Sequence, residues 1–508
     1  MPRGRVLATV TARHMPTTDL LDALPVKTVT GTLPPVIAGV SDDSRTVGQG
    51  ECFIAVPGLR HDARRFIPAA VGRGAALVVT EGAATSDVSV AQVVVPSARE
   101  AVALLGDAWY GHPSRAMTLV GITGTNGKTT TSYLAEALLG ARGLRTGVLG
   151  TIRYVGGTTA VDANQTTPDA LKLVALLARM RDDGVHGVAM EVSSHALAQA
   201  RADALAFDVA VFTNLTQDHL DFHGTFDEYR RAKRRLFELL ARSPKPHRTA
   251  VVNTDDAAGA AMVAGLSLDV ISFGVGAHAD VRAVEHTSSL DGIRMTVATP
   301  AGGFSLTSPL IGEHNVMNLL GAIGVGLALG LAPDAVSTTL AAVGAVPGRF
   351  EQVKVGQPFL VVVDYAHTPD ALERVLTTAR KLTSGRLAVV FGCGGDRDRG
   401  KRPIMGSIAA RLCDRVWATS DNPRSERPDA IVAEVVAGIR ETGAPVERYV
   451  TEPDRAAAIR GALEWARRGD TVVIAGKGHE TYQLVGADVL PFDDRAVARQ
   501  ILQEGRHV

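Results

Sequence analysis

The chain is poor in cysteine and in long apolar runs, and it has no excess of either charge. Its three cysteines form no CxxC pair, so the sequence predicts neither a disulfide framework nor a cysteine-based zinc site. The longest uncharged apolar run, residues 321–332, is shorter than the roughly 18 residues needed to span a bilayer. Lysine plus arginine equals aspartate plus glutamate at 53 each, which argues against a nucleic-acid partner.

The N-terminal sequence also lacks the uninterrupted apolar core of a signal peptide. Together with the cysteine usage, this predicts a cytoplasmic protein without membrane insertion. The 508 residues suggest about three domains, at roughly 150 residues per domain, and the 46% hydrophobic content allows a core in each.

Alternating apolar runs and helical segments predict an α/β protein of three domains. Residues 1–100 mix short apolar runs with turn residues, which indicates a small α/β domain. Residues 101–347 alternate strand and helix as in a parallel sheet, with a hairpin-like stretch at 268–310. Residues 348–508 resume the alternation without a phosphate loop, which predicts a second doubly wound domain.

The segment GTNGKTT, residues 124–130, follows a predicted strand and precedes a predicted helix. In that setting backbone N–H groups wrap a phosphate, a lysine reaches the outer phosphates and a hydroxyl ligates Mg²⁺. The strict Walker pattern has glycine where this chain has Ile122, so this is a shorter GxxGKT variant, and a flexible glycine turn is the alternative. The sequence predicts ATP or GTP binding through Gly124, Thr125, Asn126, Gly127, Lys128, Thr129 and Thr130.

Acidic and histidine side chains follow two further predicted strands. Glu191 lies near the end of GVAMEV, where a parallel strand would deliver a carboxylate to the sheet edge beside the phosphate loop. Carboxylate oxygens are ligands that Mg²⁺ prefers. A second candidate set follows the next strand and comprises Asp218, His219, Asp221 and His223. Histidines in such places more often serve as hydrogen-bonded scaffold than as ligands.

The segment FDEYRRAKRRLFELL, residues 226–240, predicts a helix that begins at Phe226, because Thr225 and Glu228 form a capping box. At about 100° per residue, Lys233 lies in the middle of an apolar stripe. The stripe comprises Phe226, Tyr229, Leu236, Phe237 and Leu240, and the outer and flanking faces carry Arg230, Arg231, Arg234 and Arg235. Burial would lower the pKa of this lysine and give a nucleophilic amine, which arginine cannot supply. A snorkelling lysine with its amine in water is the alternative.

A series of motifs runs in order along nearly the whole chain: SDDSR, GTNGKTT, TTPD, EVSSHAL, NLTQDHLDFHG, EYRRAK, GEHNVMN, PGRFE, DYAHTPD, GCGGDRDRGKRP, DNPR and GKGHE. In these motifs the chain resembles the Mur ligases of peptidoglycan synthesis, and within them the members that add diaminopimelate. The resemblance implies an N-terminal UDP-binding domain, a central P-loop ATPase-like domain and a C-terminal Rossmann-like domain. It also implies a monomeric ligase acting on small-molecule substrates.

The resemblance further implies roles for single residues. Lys128, His219 and Lys233 would be catalytic, with Lys233 carbamylated by CO₂ and holding a second Mg²⁺ together with His219, while Thr129 and Glu191 hold the first. The adenine nucleotide would lie near Asn315, Arg349, Asp364 and His367. Ser44 would contact the UDP-sugar, and the muramoyl-dipeptide would pass Thr166, Thr167, Ser193, Gln199 and Arg201. Relatives often carry asparagine where this chain has Gln165.

The motif DNPR suits recognition of the acceptor amino acid. Diaminopimelate differs from lysine by a carboxylate beside its distal amine, so its site needs a guanidinium group for that carboxylate and acids for the ammonium. The family resemblance assigns the site to Arg397, Asp421, Asn422, Pro423, Arg424, Gly476 and Glu480. Without that context DNPR is an ordinary turn.

The reaction implied is ATP-dependent amide synthesis through an acyl phosphate, adding meso-diaminopimelate to the D-glutamyl carboxylate of UDP-N-acetylmuramoyl-L-alanyl-D-glutamate. LL-diaminopimelate and L-lysine stay open as acceptors. A folylpolyglutamate synthase is the neighbouring enzyme class and should lack the SDDSR domain and DNPR. Another Mur ligase adding a different residue is a further alternative. A P-loop regulatory or nucleic-acid-binding protein using RRAKRR would require basic patches elsewhere.

Overall fold

The computed structural model describes residues 14–58, 62–86, 88–163, 165–216 and 218–505. This part of the chain forms successive α/β units, each built around a sheet, which confirms the predicted fold class. Within these ranges no helix combines the length and the apolar character needed to cross a membrane.

The N-terminal unit is a small sheet whose strands are parallel except at one edge. In spatial order the strands are Thr28–Thr30, Ala91–Val95, Leu77–Glu81, Cys52–Ala55 and Val40–Ser41, and a short ladder joins Met15–Pro16 to Val36–Ile37. Its helices are Thr17–Leu21, Ile67–Gly72 and Ala98–Trp109, with 3₁₀ turns at Ala63–Phe66 and Pro113–Ala116. Helix Ala98–Trp109 packs in this core, so a domain boundary near residue 100 would fall inside a helix. The boundaries at about 100 and 347 remain predictions.

The central unit is a long sheet that is parallel in its middle and antiparallel at both edges. In spatial order its strands are Thr159–Asp162, Arg153–Gly156, Thr146–Leu149, Gly187–Glu191, Thr118–Thr123, Val209–Phe212, Thr249–Asn253, Asp269–Gly274, Val281–Ser289, Gly292–Ala298 and Phe304–Ser308. Its helices are Lys128–Ala141, Ala170–Asp182, Ser194–Ala198, Leu220–His223, Phe226–Arg242, Gly259–Val263, Glu313–Ala328 and Pro333–Ala342. Apolar clusters cover both faces of the sheet, which explains why its middle strands read as continuous apolar runs.

The hairpin expected at 268–310 is confirmed in its second part only. Strands Val281–Ser289, Gly292–Ala298 and Phe304–Ser308 pair antiparallel. Asp269–Gly274 instead continues the parallel sheet beside Thr249–Asn253, because the short helix Gly259–Val263 supplies the crossover that a parallel pair requires.

The C-terminal unit is the predicted second doubly wound domain, with apolar clusters on both faces of its sheet. In spatial order its strands are Glu351–Gln352, Leu360–Asp364, Thr471–Ala475, Leu387–Phe391, Arg415–Ala418 and Tyr449–Thr451, and a separate hairpin pairs Tyr482–Val485 with Asp488–Pro491. Its helices are Pro369–Leu382, Lys401–Leu412, Pro428–Glu441, Arg455–Trp465 and Asp494–Glu504, with a 3₁₀ turn at Val446–Arg448. Thr368 caps the first of these helices by accepting from Ala371 N at 3.3 Å.

The helix Phe226–Arg242 begins where the capping box predicts, since Thr225 Oγ1 accepts from Glu228 N at 3.2 Å. Lys233 is buried at 1% exposure, so the snorkelling alternative is wrong. Phe226 is 44% exposed. The prediction that it belongs to the apolar stripe that faces the core is therefore also wrong; Phe226 is the first residue of the helix. Arg234 and Arg235 are partly buried rather than fully solvated: Arg234 binds the Ala264 carbonyl at 2.7 Å, and Arg235 pairs with Asp203.

Candidate active site

The phosphate loop, residues 124–127, connects strand Thr118–Thr123 to helix Lys128–Ala141. Gly124 and Gly127 have φ of 151° and 86°, and a Cβ at Gly124 would lie 1.8 Å from Thr213 Oγ1, so neither position accepts another residue without strain. Thr125 N and Asn126 N donate to Asn214, at 2.8 Å to its carbonyl and 2.9 Å to its Oδ1. The neighbouring strand end therefore fixes the shape of this loop.

Two lysine amines meet on one carbonyl oxygen of the phosphate loop. Lys128 Nζ lies 2.9 Å and Lys233 Nζ 2.7 Å from the Gly124 carbonyl. Burial lowers the pKa of both amines, and for Lys233, whose pKa falls well below its usual value, the neighbouring Lys128 charge adds to the effect. Lys233 Nζ also stands 4.3 Å from the centroid of the Tyr229 ring. The site thus favours an uncharged amine at Lys233.

A cluster of aromatic and imidazole rings adjoins these lysines. His219 has φ of 54°, and its ring stacks edge-on against His195 at 4.7 Å between centroids. His219 Nε2 lies 3.4 Å from Asp218 Oδ2, and His223 Nε2 is 3.0 Å from Ser194 Oγ. His223 is therefore bonded within the scaffold, whereas His219 and Asp218 face the cavities described below. The side chain of Asp221 lies outside the described part of the structure.

Glu191 and Thr129 both line the phosphate-loop cavity. Glu191 is buried, and its carboxylate accepts from Thr151 N at 2.8 Å and from Thr151 Oγ1 at 3.0 Å. Thr129 Oγ1 accepts from Arg349 Nη2 at 2.8 Å. Across the described residues no group of three or more His, Cys, Asp or Glu side chains is arranged to hold a metal. Mg²⁺ bound to nucleotide phosphates needs only one or two protein oxygens, so the Glu191 carboxylate and the Thr129 hydroxyl fit such an ion.

The side chains expected beside the nucleotide lie on two units. Arg349, Asp364 and His367 from the C-terminal unit line a cavity of about 370 Å³ together with the phosphate loop. Burial raises the pKa of Asp364, whose oxygens accept from Phe350 N at 2.7 Å and Ala366 N at 2.8 Å. Asn315 does not line the cavity. Its Nδ2 donates to Ile311 O at 2.7 Å, and its Oδ1 accepts from Asn318, which does line the cavity.

The residues expected to hold the amino acid surround a second cavity of about 940 Å³. Its lining includes Arg397, Asp421, Asn422, Arg424, Gly476 and Glu480. Pro423 is not among the lining residues. Its carbonyl oxygen packs against Gly395, where an added Cβ would lie only 1.8 Å from it. Asp218, His219 and His367 line both cavities, so the two spaces adjoin.

Arg424 has a backbone φ of 52°, a left-handed conformation that residues other than glycine rarely adopt. Its backbone N donates to Leu484 O at 3.0 Å, and its carbonyl accepts from Gly486 N at 2.7 Å, so the hairpin formed by residues 482–491 holds it in place. One guanidinium nitrogen, Nη1, donates to Gly395 O at 2.8 Å. Such a conformation costs about 1–2 kcal/mol, which is consistent with a residue fixed for recognition.

The residues expected to line the path of the muramoyl-dipeptide form one hydrogen-bonded group. Arg201 donates to Gln199 Oε1 at 2.7 Å and to Thr167 O at 2.8 Å, and it also binds the Gln165 side chain. Thr167 Oγ1 accepts from Ser193 N at 3.0 Å. Thr166 Oγ1 is 3.2 Å from Thr151 Oγ1, which links this group to the Glu191 carboxylate.

The SDDSR turn of the N-terminal unit approaches this same group. The side chain of Asp42 lies within electrostatic reach of the Asp169 carboxylate. Asp169 in turn pairs with Arg201 at 3.4 Å. Ser44 lies on this turn and is half-buried.

Domain-family comparison divides the chain as the sheets do. Residues 122–326 match the Mur ligase middle domain, and residues 348–478 match the Mur ligase glutamate ligase domain. The chain belongs to the Mur ligase family.

Individual relatives agree with this membership. The chain is 46% identical over 92% of its length to UDP-N-acetylmuramoyl-L-alanyl-D-glutamate--2,6-diaminopimelate ligase of Solibacter usitatus, covering 94% of that protein. A solved structure of a ligase of the same name is 34% identical, with a TM-score of 0.68 over 96% of this chain and 99% of that one. The Mycobacterium tuberculosis folylpolyglutamate synthase is 19% identical, with a TM-score of 0.61 over 80% of this chain and 95% of that one, which is a likeness of fold alone.

Two side chains of this Mur ligase occupy places that the sequence did not single out. Asp370 Oδ2 accepts from Asn126 Nδ2 at 2.9 Å and from Thr216 Oγ1 at 3.2 Å, so it joins the C-terminal unit to the phosphate loop. Lys477 is fully buried and pairs at 2.9 Å with Glu480, which lines the second cavity. Both lie inside quoted motifs, DYAHTPD and GKGHE, which is the only local signal that would have found them.

Proposed function

We propose that this protein is an ATP-dependent ligase that joins diaminopimelate to the D-glutamyl carboxylate of UDP-N-acetylmuramoyl-L-alanyl-D-glutamate. The observation that carries the proposal is the adjacency of the two cavities, one on the phosphate loop and one lined by Arg424 and Glu480. A carboxylate activated in the first cavity would be within reach of an amine held in the second. The names of the relatives support the same reaction.

On the nucleotide side, the backbone N–H groups of the phosphate loop and the Lys128 amine would bind the phosphates of ATP. Gly124, Thr125, Asn126, Gly127, Thr129 and Thr130 form or adjoin that loop. Arg349 and Asp364 would contact the nucleotide from the C-terminal unit. Asn315 would contribute indirectly, by orienting the Asn318 side chain that lines the cavity. Because these groups come from the central and the C-terminal units, bound ATP would hold the two units together.

The Glu191 carboxylate and the Thr129 hydroxyl would hold one Mg²⁺. Lys233 and His219 would hold a second, provided that the Lys233 amine reacts with CO₂, releasing a proton and forming a carbamate anion. The burial of Lys233 and its shared acceptor with Lys128 support this modification, because an uncharged amine is the form that attacks CO₂. Magnesium, when bound, neutralises charge on the phosphoryl oxygens.

The muramoyl-dipeptide would lie along Thr166, Thr167, Ser193, Gln199 and Arg201, with its UDP end towards Ser44 on the SDDSR turn. The half-buried Arg201 guanidinium suits a carboxylate of the dipeptide. Its bonds to Gln199 and Thr167 would hold it at a fixed angle. Gln165 bonds to Arg201 and so belongs to the same group.

In the amino-acid pocket, Arg424 and Arg397 would bind the carboxylate at the non-reacting end of diaminopimelate. Asp421, Asn422 and Glu480 would bind the ammonium at that end, while Gly476 and Pro423 shape the backbone around them. L-Lysine has the ammonium but lacks the carboxylate, so Arg424 would distinguish the two acceptors.

The chemistry would run in two steps. The D-glutamyl carboxylate attacks the γ-phosphorus of ATP, which releases ADP and forms an acyl phosphate; the amine of diaminopimelate then attacks the acyl carbon, and phosphate leaves. His367 is suited to take the proton from that amine. Its Nδ1 must donate to Tyr365 O at 2.8 Å, which leaves Nε2 of the neutral ring as an acceptor. Most of the rate enhancement would come from positioning.

The alternative classes fit this protein less well. A folylpolyglutamate synthase is not expected to have an SDDSR-bearing unit or the DNPR segment, and both are part of this chain. The RRAKRR arginines are paired with acids or backbone carbonyls of this chain, which leaves few free guanidinium groups for a nucleic acid.

The cytoplasm is the expected compartment for a ligase that uses ATP and a nucleotide-linked precursor, and a monomer is the expected state.

The proposal is tested by an ADP-release assay with UDP-N-acetylmuramoyl-L-alanyl-D-glutamate and ATP. meso-Diaminopimelate, LL-diaminopimelate and L-lysine are offered in turn, with a no-acceptor control. Release that depends on both the nucleotide precursor and a diaminopimelate is expected, and equal or better turnover with L-lysine would reject the acceptor assignment.

A further inference from the structure

Lys477 lies between two glycines of the GKGHE motif and is enclosed by the C-terminal unit. Gly476 and Gly478 have φ of 114° and 54°. A Cβ at Gly476 would lie 2.6 Å from Asp421 Oδ2, and one at Gly478 would lie 2.7 Å from the Cβ of Tyr365. The backbone is thus pressed against Asp421 and Tyr365, and the Lys477 side chain has 0% exposure.

The Lys477 amine contacts two members of the amino-acid pocket. Nζ lies 2.9 Å from Glu480 Oε2 and 3.2 Å from Asn422 Oδ1, and 5.7 Å from the centroid of the Tyr482 ring. Glu480 has 15% side-chain exposure and lines the 940 Å³ cavity. A fully enclosed cation therefore stands directly behind the carboxylate that faces the ligand.

These contacts fix the orientation of the Asn422 amide. A lysine only donates hydrogen bonds, so the oxygen of the amide must face Nζ; the same oxygen accepts from Leu484 N at 3.0 Å. The amide nitrogen is consequently turned to Glu480 Oε2, at 2.9 Å. Two donors, Lys477 Nζ and Asn422 Nδ2, thus converge on one oxygen of Glu480.

We infer that Lys477 is a positioning residue that sets acceptor specificity, by tying Glu480 Oε2 and so presenting Oε1 to the ammonium at the non-reacting end of the amino acid. This inference rests on the proposed function and adds to it: an amino acid without that distal ammonium is discriminated against through Lys477. A buried charged partner is suited to the task because it prevents Glu480 from turning away.

The test compares meso-diaminopimelate with 2-aminopimelate, which keeps both carboxylates but lacks the distal amine. The ratio of kcat/KM for the two acceptors is measured in wild type, Lys477→Met, Glu480→Gln and the double variant. We expect Lys477→Met to lower the ratio at least about tenfold, as for loss of one charge-assisted hydrogen bond. We also expect the double variant to be no lower than Glu480→Gln alone, because both changes act on one carboxylate.

Lys354→Met, at an exposed lysine of the same unit, is the matched control and should keep the wild-type ratio. A purely structural role would lower kcat/KM equally for both acceptors and leave the ratio unchanged, which would overturn the inference. Independent, multiplying effects in the double variant would do the same. If Lys477→Met folds poorly, the double variant, which leaves no buried charge unpaired, carries the comparison. Absence of wild-type turnover with diaminopimelate would instead reject the proposed function.

Discussion

Replacement of Lys233 by alanine and by methionine separates its chemistry from its packing. Both changes remove the amine that lies 2.7 Å from the Gly124 carbonyl. A hydrogen bond from an uncharged amine contributes about 0.5–1.5 kcal/mol, which corresponds to about 2- to 13-fold in rate. If Lys233 also holds a metal ion as a carbamate, its removal should lower the rate further, by about 10³-fold or more. Methionine keeps the volume of the stem, so we expect its effect on stability to stay below about 1.5 kcal/mol.

The assay is ADP release with and without added bicarbonate or a short carboxylate such as propionate. The alanine variant leaves room for that anion beside the phosphate loop, so partial restoration of activity is expected there. The methionine variant fills the same space and should not respond. Arg231→Ala, on the outer face of the same helix with 65% side-chain exposure, should keep full activity and lose less than about 1 kcal/mol of stability. Full activity in Lys233→Met, or equal restoration in both variants, would refute the carbamate account.

Three further predictions concern other parts of the site. Arg424→Ala should reduce the preference for diaminopimelate over L-lysine by about 10- to 150-fold, measured as a ratio of kcat/KM; an unchanged ratio would contradict its role. Asp370→Ala, which frees Asn126 from the C-terminal unit, should lower kcat more than it raises KM for ATP, and a change in KM alone would argue against closure through this contact. Burial lowers the pKa of His479 to about 3 from 6.5, so the unfolded chain binds a proton there that the folded chain does not. Stability should therefore fall as pH drops from about 6.5 towards 3. His479→Gln should lose less stability than wild type between pH 7 and pH 5 in urea unfolding, and an equal loss would assign the pH dependence to other groups.

The features that follow from local sequence were predictable. The phosphate loop depends on glycines and a lysine within seven residues. The start of helix Phe226–Arg242 is marked by the capping box of Thr225 and Glu228. Periodicity also placed Lys233 on the apolar face of that helix, but it left open whether the amine reaches water, and only the structure shows that Lys233 is buried. Phe226 is on the same face and yet exposed, because the period of a helix states which face a residue is on and not whether another element covers that turn.

Contacts between distant segments were not predictable from the pattern. Asp370 meets Asn126 across 244 positions of the chain, and nothing local marks which of the acids in DYAHTPD would do so. Lys477 looks like a surface lysine between two glycines, and only the packing of that turn against Asp421 and Tyr365 encloses it. The position of strand Thr471–Ala475 between Leu360–Asp364 and Leu387–Phe391 is likewise a property of the crossover connections.

A competition experiment with the wild-type protein tests most directly whether it joins diaminopimelate to the precursor. ATP and UDP-N-acetylmuramoyl-L-alanyl-D-glutamate are incubated with equal concentrations of meso-diaminopimelate, LL-diaminopimelate and L-lysine, and the products are separated by chromatography and identified by mass spectrometry. We expect the meso-diaminopimelate product to dominate, with one ADP released for each amide formed. A dominant L-lysine product, or ADP release without any amide product, would contradict it.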